Sequence, residues 1–270
     1  DNDAKMESID IPNCIAAGNI DVAFTIQNTG LQNITTFDAT YRVDDMTVNE
    51  TFTTDLAQFE KQQFTFAEPM NLYPGNYNVE IEVTSVNGTE DQNTANSIMR
   101  KDLTAALGGT TKIAMIEHFS SATCASCMPL NGTMKQLTDN NPGKFTYTKY
   151  VMNFPSYGDD YYTAEGGVRK SYYNVSGVPT MVLNGKDHTY LAVTQEELDE
   201  CYNSPAFVNI KGAFDIDGTT INIKVDVMSY INLENKRLFV TVNEKTTVEN
   251  VEPINDSDSE FHHIMMKMLP

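Results

Sequence analysis

Early in the chain, apolar and polar residues alternate with a period of two. Val22, Phe24 and Ile26 are separated by Ala23, Thr25 and Gln27, and Tyr77, Val79, Ile81 and Val83 by Asn78, Glu80 and Glu82. Successive side chains of a strand point to opposite faces, so each run predicts a strand with one face in a core and one in water. Asn28-Thr29-Gly30, Pro74-Gly75 and Asn87-Gly88 punctuate the runs as turns. About seven short strands with such turns between them predict a β-sandwich. It is expected to cover residues 1–107.

The pattern changes after Gly108-Gly109. Ile113 to Ile116 is a short apolar run, expected of a strand buried on both faces. Leu130, Met134 and Leu137 recur at helical spacing, Phe145 to Met152 reads as a strand, and Val168 and Tyr172 sit four apart in a second helix. Met181 to Leu183 is a strand running into the hairpin signal Asn184-Gly185, and Thr194 with Glu197 forms a capping box that opens a third helix through about Tyr202. Strand, helix, strand, helix, hairpin, helix predicts a mixed α/β unit over residues 108–204. From Ala206 alternation returns. Ile221, Ile223, Val225 and Val227 face one way, Asp217-Gly218 joins their strand to the one before, and Leu238 to Val242 and the apolar stretch Ile264 to Leu269 follow, so residues 205–270 read as a third, β-rich block. Sixty-odd residues are thin for a free-standing sandwich. The block is expected to pack on its neighbours or to continue past Pro270.

Composition narrows the partners. The net charge is −19, from 37 acidic and 18 basic residues, and such a surface repels phosphate backbones, which argues against nucleic acid. No apolar run reaches the ~18 residues of a membrane span. The chain opens on polar residues, Asp1 to Lys5, so an export signal is expected to have been removed or left out ahead of Asp1. A lipid anchor could also lie upstream of Asp1. Leu72-Tyr73-Pro74-Gly75-Asn76-Tyr77 resembles the turn before a late strand in immunoglobulin-like and adhesion-type modules of bacterial surface proteins, which implies a fold and not a function.

The chemistry centres on four cysteines, Cys14, Cys124, Cys127 and Cys201. Cys124-Ala125-Ser126-Cys127 follows the apolar strand and opens the Leu130–Leu137 helix. Unpaired N–H groups and the positive end of a helix dipole stabilise a thiolate, which predicts Cys124 as an attacking thiol and Cys127 as a resolving one. A static disulfide is the competing reading. Zinc would need four ligands where only two cysteines and His118 gather, so neither a metal nor any other cofactor is expected. Downstream, Gly177-Val178-Pro179-Thr180 puts a proline at the entry of a strand, where it cannot donate to the ladder. A cis Val178–Pro179 bond would make the turn and set the Val178 backbone against a bound peptide.

These features resemble the thioredoxin superfamily over residues of about 110 to 204: the strand Ile113–Phe119, the C-x-x-C at a helix start, and Tyr173 to Thr180, similar to its cis-proline signature. Glu117-His118-Phe119-Ser120, Tyr161-Tyr162 and the stretch Glu260 to Pro270 look like the thioredoxin-fold outer-membrane lipoproteins and secreted proteins of the Bacteroidetes. The resemblance implies an α/β thioredoxin-like central domain flanked by an N-terminal immunoglobulin-like β-sandwich and a C-terminal β-rich domain. It also implies an exported protein of the periplasm, outer membrane or cell surface, whose chain runs on past Pro270. The sequence departs from the family pattern: Thr123 stands before Cys124 instead of tryptophan, Ala-Ser replaces Gly-Pro, and His118 occupies the place of a buried acid. Glu117 is adjacent but should point to the opposite face.

Two functions follow. The first is a cell-envelope thiol–disulfide oxidoreductase acting on protein thiols or disulfides of exported proteins, with Cys124, Cys127 and Pro179 catalytic, Val178 and Thr180 holding substrate, and His118 or Glu117 moving protons. The second is a surface-exposed binding or adhesion protein in which this fold is a redox-inert scaffold. The two differ in one respect: an oxidoreductase needs an exposed Cys124 of low pKa, whereas a scaffold disulfide can be buried. Cys201 sits on an apolar helix face as a free thiol, unless a Cys14–Cys201 disulfide joins two domains. Tyr147, Tyr150, Tyr157, Tyr161, Tyr162, Tyr172 and Tyr173 either pack the core or rim a site for an extended ligand. The acidic runs Asp215–Asp226 and Asn255–Glu260 lack the spacing of a calcium loop and read as solvated faces. His188, His262 and His263 read as surface and strand residues.

Overall fold

The computed structural model describes residues 2–248 and 260–269, and of residues 187–189 only the backbone. The described residues form twenty-one strands and three helices, and they divide into two compact units. One comprises Asp1–Thr110 with Phe207–Asn232, the other Thr111–Ala206 with Leu233–Pro270.

In the first unit the alternating runs become strands as expected. In Ala23–Asn28 the side chains of Phe24 and Ile26 are fully buried, and in Gly75–Val86 so are Val79 and Ile81. A three-stranded antiparallel sheet (Ala4–Ile9, Ala23–Asn28, Lys61–Thr65, in that order) belongs to one apolar core with a six-stranded sheet. The six-stranded sheet runs Cys14–Ala16, Ile98–Ala106, Gly75–Val86, Ile34–Val43, Met46–Leu56, with Thr89–Glu90 folded back onto Gly75–Val86. Aromatic rings fill the core: Phe37 stacks on Phe52 at 4.9 Å, and Phe24 meets Phe37 edge-on at 6.3 Å. Asn87 and Gly88 both take positive φ, 52° and 75°, the mirror-image turn that matches the twist of a two-residue hairpin.

The second unit is built on one six-stranded sheet. Its order is Lys186–Thr189, Thr180–Leu183, Ala114–Ser120, Phe145–Val151, Glu260–Leu269, Val240–Val248. The central strand Ala114–Ser120 runs parallel to Phe145–Val151 and antiparallel to Thr180–Leu183. Its parallel connection requires a crossover, supplied by the helix Cys127–Asn140. That helix packs Leu130 and Met134 against Ile116, Tyr147 and Met181, while the helix Gln195–Asn203 places Leu198 and Cys201 on Ala114 of the same face. The helix Ala164–Tyr172 lies on the opposite face, where Phe119, Tyr150, Met152 and Val175 form a separate core. The capping box at Thr194 is present in full.

Several expectations are corrected. The described residues are mainly strand, with helices of 14, 9 and 9 residues, so the fold class is mostly β with several sheets. It is not an α/β thioredoxin-like domain between an immunoglobulin-like sandwich and a separate C-terminal β-rich domain. Residues after 232 do not stand apart: Val240–Val248 and Glu260–Leu269 extend the central sheet, because the apolar Phe261, Ile264 and Met265 are buried there. Residues 207–232 belong instead with the N-terminal unit. Ile113 precedes its strand and is 42% exposed, and Met115 points to solvent, so this strand is not buried on both faces at its start. Val168 and Tyr172 lie in a helix as expected, but on its outer face, 72% and 70% exposed; Gly166 and Arg169 face inward. The acidic run Asn255–Glu260 lies, except for Glu260, outside the described residues, as does the His188 side chain.

Candidate binding groove beside the disulfide

The central strand ends at Ser120, and the chain turns through Ser121-Ala122-Thr123 before the helix begins at Cys127. Asp159 fixes this turn by accepting from the Ala122 N–H at 3.0 Å, and the Thr123 hydroxyl donates to the Pro155 carbonyl at 2.6 Å. Cys124 and Cys127 are joined in a disulfide. Both cysteines are buried: Cys124 is 4% exposed and Cys127 0%. The Ser126 hydroxyl lies 3.4 Å from Cys124 Sγ, and the Val178 carbonyl oxygen 3.6 Å from it.

Val178–Pro179 is cis, as the sequence predicts, and Phe154–Pro155 is a second cis bond that the sequence reading does not anticipate. The sheet pairing begins only at Thr180, so the Val178 N–H and C=O stay outside the ladder. The loop forms one wall of a groove of about 570 Å³. Ser126 lies across from it, and Tyr173, Asn174, Val175, Pro179 and Tyr190 line the rest. Among the described residues, no lining side chain carries a charge. Of the residues expected at a site, Cys124, Val178, Pro179 and Thr180 come together here. His118 and Glu117 do not line the groove.

Their burial explains what they do instead. Glu117 is 3% exposed and accepts four hydrogen bonds: from Arg169 Nε at 2.7 Å, Arg169 Nη2 at 2.9 Å, Tyr150 at 2.9 Å and Tyr173 at 2.6 Å. Burial alone would lower the Arg169 pKa, but the bonds and charge of Glu117 outweigh it and hold the guanidinium above its usual range. Burial, and then Glu117, push the Tyr150 and Tyr173 hydroxyls up. Arg169 also lies 4.7 Å from the ring centre of Tyr173. Glu117 and Arg169 are thus positioning residues that lock a tyrosine of the groove wall. Arg169 stands one helical turn before Tyr173 in sequence, the signal that could have revealed it.

His118 lies on the other face of the strand, wholly buried, with Nδ1 2.7 Å from the Tyr147 hydroxyl. Burial, then the neighbouring Lys149 charge, hold its pKa well below the ordinary histidine range, so it is a neutral core group. Its Nε2 and the Ser120 Oγ, two residues on, are buried without a hydrogen-bond partner among the described residues. Tyr147 and Tyr150 pack in the core, whereas Tyr173 lines the groove; Tyr190, which the sequence reading passes over, lines it too and is 71% exposed. Cys14 and Cys201 are both free, so no disulfide joins them.

No family model matches the chain, and no curated protein matches it. It is similar in structure to a domain of a cell surface protein of Methanosarcina acetivorans described as putative (20% identity, 38% of this chain and 91% of that one, TM-score 0.33). It is also similar to the CARDB domain of a Pyrococcus furiosus protein, solved in complex with di-metal ions (14% identity, 40% and 94%, TM-score 0.31). A third is a protein from Agrobacterium tumefaciens (18% identity, 59% and 73%, TM-score 0.42). None of the three is described as a thiol–disulfide oxidoreductase, and likenesses of this size assign no function. Because the described residues are mostly strand, with only three helices, the expected membership of the thioredoxin superfamily is corrected. So is the resemblance to the Bacteroidetes lipoproteins and, with them, the description of Cys124–Cys127 as a redox-active centre.

Proposed function

We infer that this chain is an exported, surface-exposed binding protein whose ligand is an extended polypeptide segment held in the groove. The observation that carries the reading is Val178, which lines an open groove and whose backbone lies outside the sheet ladder. An extended chain laid there gains main-chain hydrogen bonds, the mode of strand addition, while Tyr173 and Tyr190 supply flat apolar contact. Thr180 holds the loop shape by donating to the Gly177 carbonyl at 2.9 Å. The Cys124–Cys127 disulfide acts as a scaffold that fixes the opposite wall. An attacking cysteine must be reachable, and the burial of both cysteines favours this reading over catalysis. No helix among the described residues is long and apolar enough to cross a membrane.

The test is selection from a phage-displayed library of random linear peptides, followed by calorimetry on the enriched sequences. The expected result is binding weakened about tenfold or more by Tyr190→Ala and by N-methylation of alternate peptide residues. Enriched peptides that bind equally well to Tyr190→Ala would overturn it. So would turnover of a disulfide substrate that disappears in Cys124→Ser.

A further inference from the structure

The hairpin formed by Val208–Asp217 and Thr220–Ser229 pairs with no other strand among the described residues. Its register puts Ile210 opposite Val227, Gly212 opposite Val225, Phe214 opposite Ile223 and Ile216 opposite Ile221. Residues at alternate positions share a face, so these eight form one face with no charge on it. The reverse face carries Lys211 opposite Asp226, Ala213 opposite Lys224 and Asp215 opposite Asn222. The sequence therefore specifies an amphipathic ribbon, and amphipathic ribbons of two strands are marginal in water without a covering layer. Yet the apolar face is open: Phe214 is 72% exposed, Ile216 60%, Ile210 56% and Val227 49%. Together these side chains present on the order of 500 Å² of apolar surface, towards the upper end of the patches found on monomers, which are often functional.

We propose that this face is covered by the same face of a second copy of the chain. Three features select that occupant. All charges of the ribbon lie on the reverse face, so stacking two apolar faces buries no charge and leaves both charged faces in water despite a net charge of −19 per chain. The face is also complementary to itself. Its one missing side chain is at Gly212, where an added Cβ would meet nothing within 4 Å, and its largest protruding one is the neighbouring Phe214. A two-fold axis perpendicular to the strands at the level of Ala213 sets Phe214 of each copy over Gly212 of the other. That is the isologous arrangement of most homodimers, with the two layers spaced as in a sandwich. Finally, two such faces bury on the order of 1,000 Å², the lower bound for a specific interface, so the dimer is expected to be reversible and concentration-dependent.

Sedimentation velocity of the full chain tests this between about 1 and about 100 µM, the range in which a marginal interface dissociates. The expected result is a monomer–dimer equilibrium. Phe214→Ser weakens it about 100-fold, the size of a central aromatic hot spot. Gly212→Leu, which adds apolar surface but fills the socket, weakens it about tenfold or more. Lys224→Gln on the charged face leaves it unchanged. Labelling of the free Cys14 thiol at the wild-type rate shows that each variant keeps its first unit folded. A wild-type chain that is monomeric throughout would overturn the proposal. So would a Gly212→Leu variant that associates as tightly as wild type or more so, since that outcome marks unspecific adhesion of apolar surface.

Discussion

Replacing Glu117 by glutamine removes one charge at the best-connected buried group of the second unit. Glu117 receives two bonds from Arg169, whose side chain is 16% exposed, and one each from Tyr150 and Tyr173. Glutamine keeps one acceptor oxygen and turns an amide N–H₂ towards donors. Arg169 is then left buried without its counter-charge. Breaking a buried pair by removing one partner costs about 3–5 kcal/mol. The retained oxygen and the partial exposure of Arg169 place this case near the lower end, about 3 kcal/mol. The chain offers a direct assay, because each unit holds one free thiol: Cys14 in the first and Cys201, 9% exposed, in the second. Native-state thiol labelling, read by mass on digested peptides, measures the opening of each unit separately. That avoids the two-state assumption for a chain with two compact units. Glu117→Gln should speed Cys201 labelling about 100-fold, a tenfold change per ~1.4 kcal/mol, and leave Cys14 unchanged. In a double-mutant cycle with Arg169→Met the two losses should be far from additive. An effect on Cys201 below about fivefold, or an equal effect on Cys14, would refute the assignment of this network as the clamp on Tyr173.

Two further outcomes follow from the same unit. His118, facing Lys149 and Tyr147, and His263, packed at 5.2 Å on Tyr147, both have pKa values lowered first by burial. The native state therefore holds them neutral while the unfolded chain binds protons from about pH 6.5 downwards. Their contribution is complete above that pH and is lost as pH falls towards their folded values, at up to ~1.4 kcal/mol per pH unit for each histidine. Urea unfolding at about pH 7 and pH 5 should show the loss, and His118→Gln should flatten it; an unchanged slope would exclude His118 as the cause. Thr194→Ala removes the hydroxyl that accepts from the Glu197 N–H at 3.2 Å and should cost about 1 kcal/mol, seen as severalfold faster labelling of Cys201, while Thr194→Ser should retain the cap.

The local grammar of the chain was legible wherever one residue type has one physical use. The period-two runs through Phe24 and Val79, the positive-φ turns Asn87-Gly88 and Asn184-Gly185, the capping box at Thr194 and the cis proline at 179 all lie where their chemistry requires them. The pairing of Cys124 with Cys127 and the free state of Cys201 were likewise within reach of spacing and periodicity. Less legible was which side of a pattern meets the core. Val168 and Tyr172 share a helical face just as Leu130 and Met134 do, yet only the second pair is buried, because periodicity names a face and not its neighbour.

By itself, then, the sequence determined the elements, their turns and the closeness of Cys124 to Cys127, since each depends on backbone preferences within a few residues. Only the tertiary structure decided what those elements serve. It sent Glu260–Leu269 into the central sheet beside Phe145–Val151, more than a hundred residues earlier, and so turned an expected α/β domain into part of a mostly β chain. It buried the disulfide and brought Tyr190 and the Val178 backbone to one groove. It also left the ribbon of residues 208–229 with an uncovered apolar face. Burial and long-range pairing are properties of the whole packed unit, and no short stretch of sequence carries them.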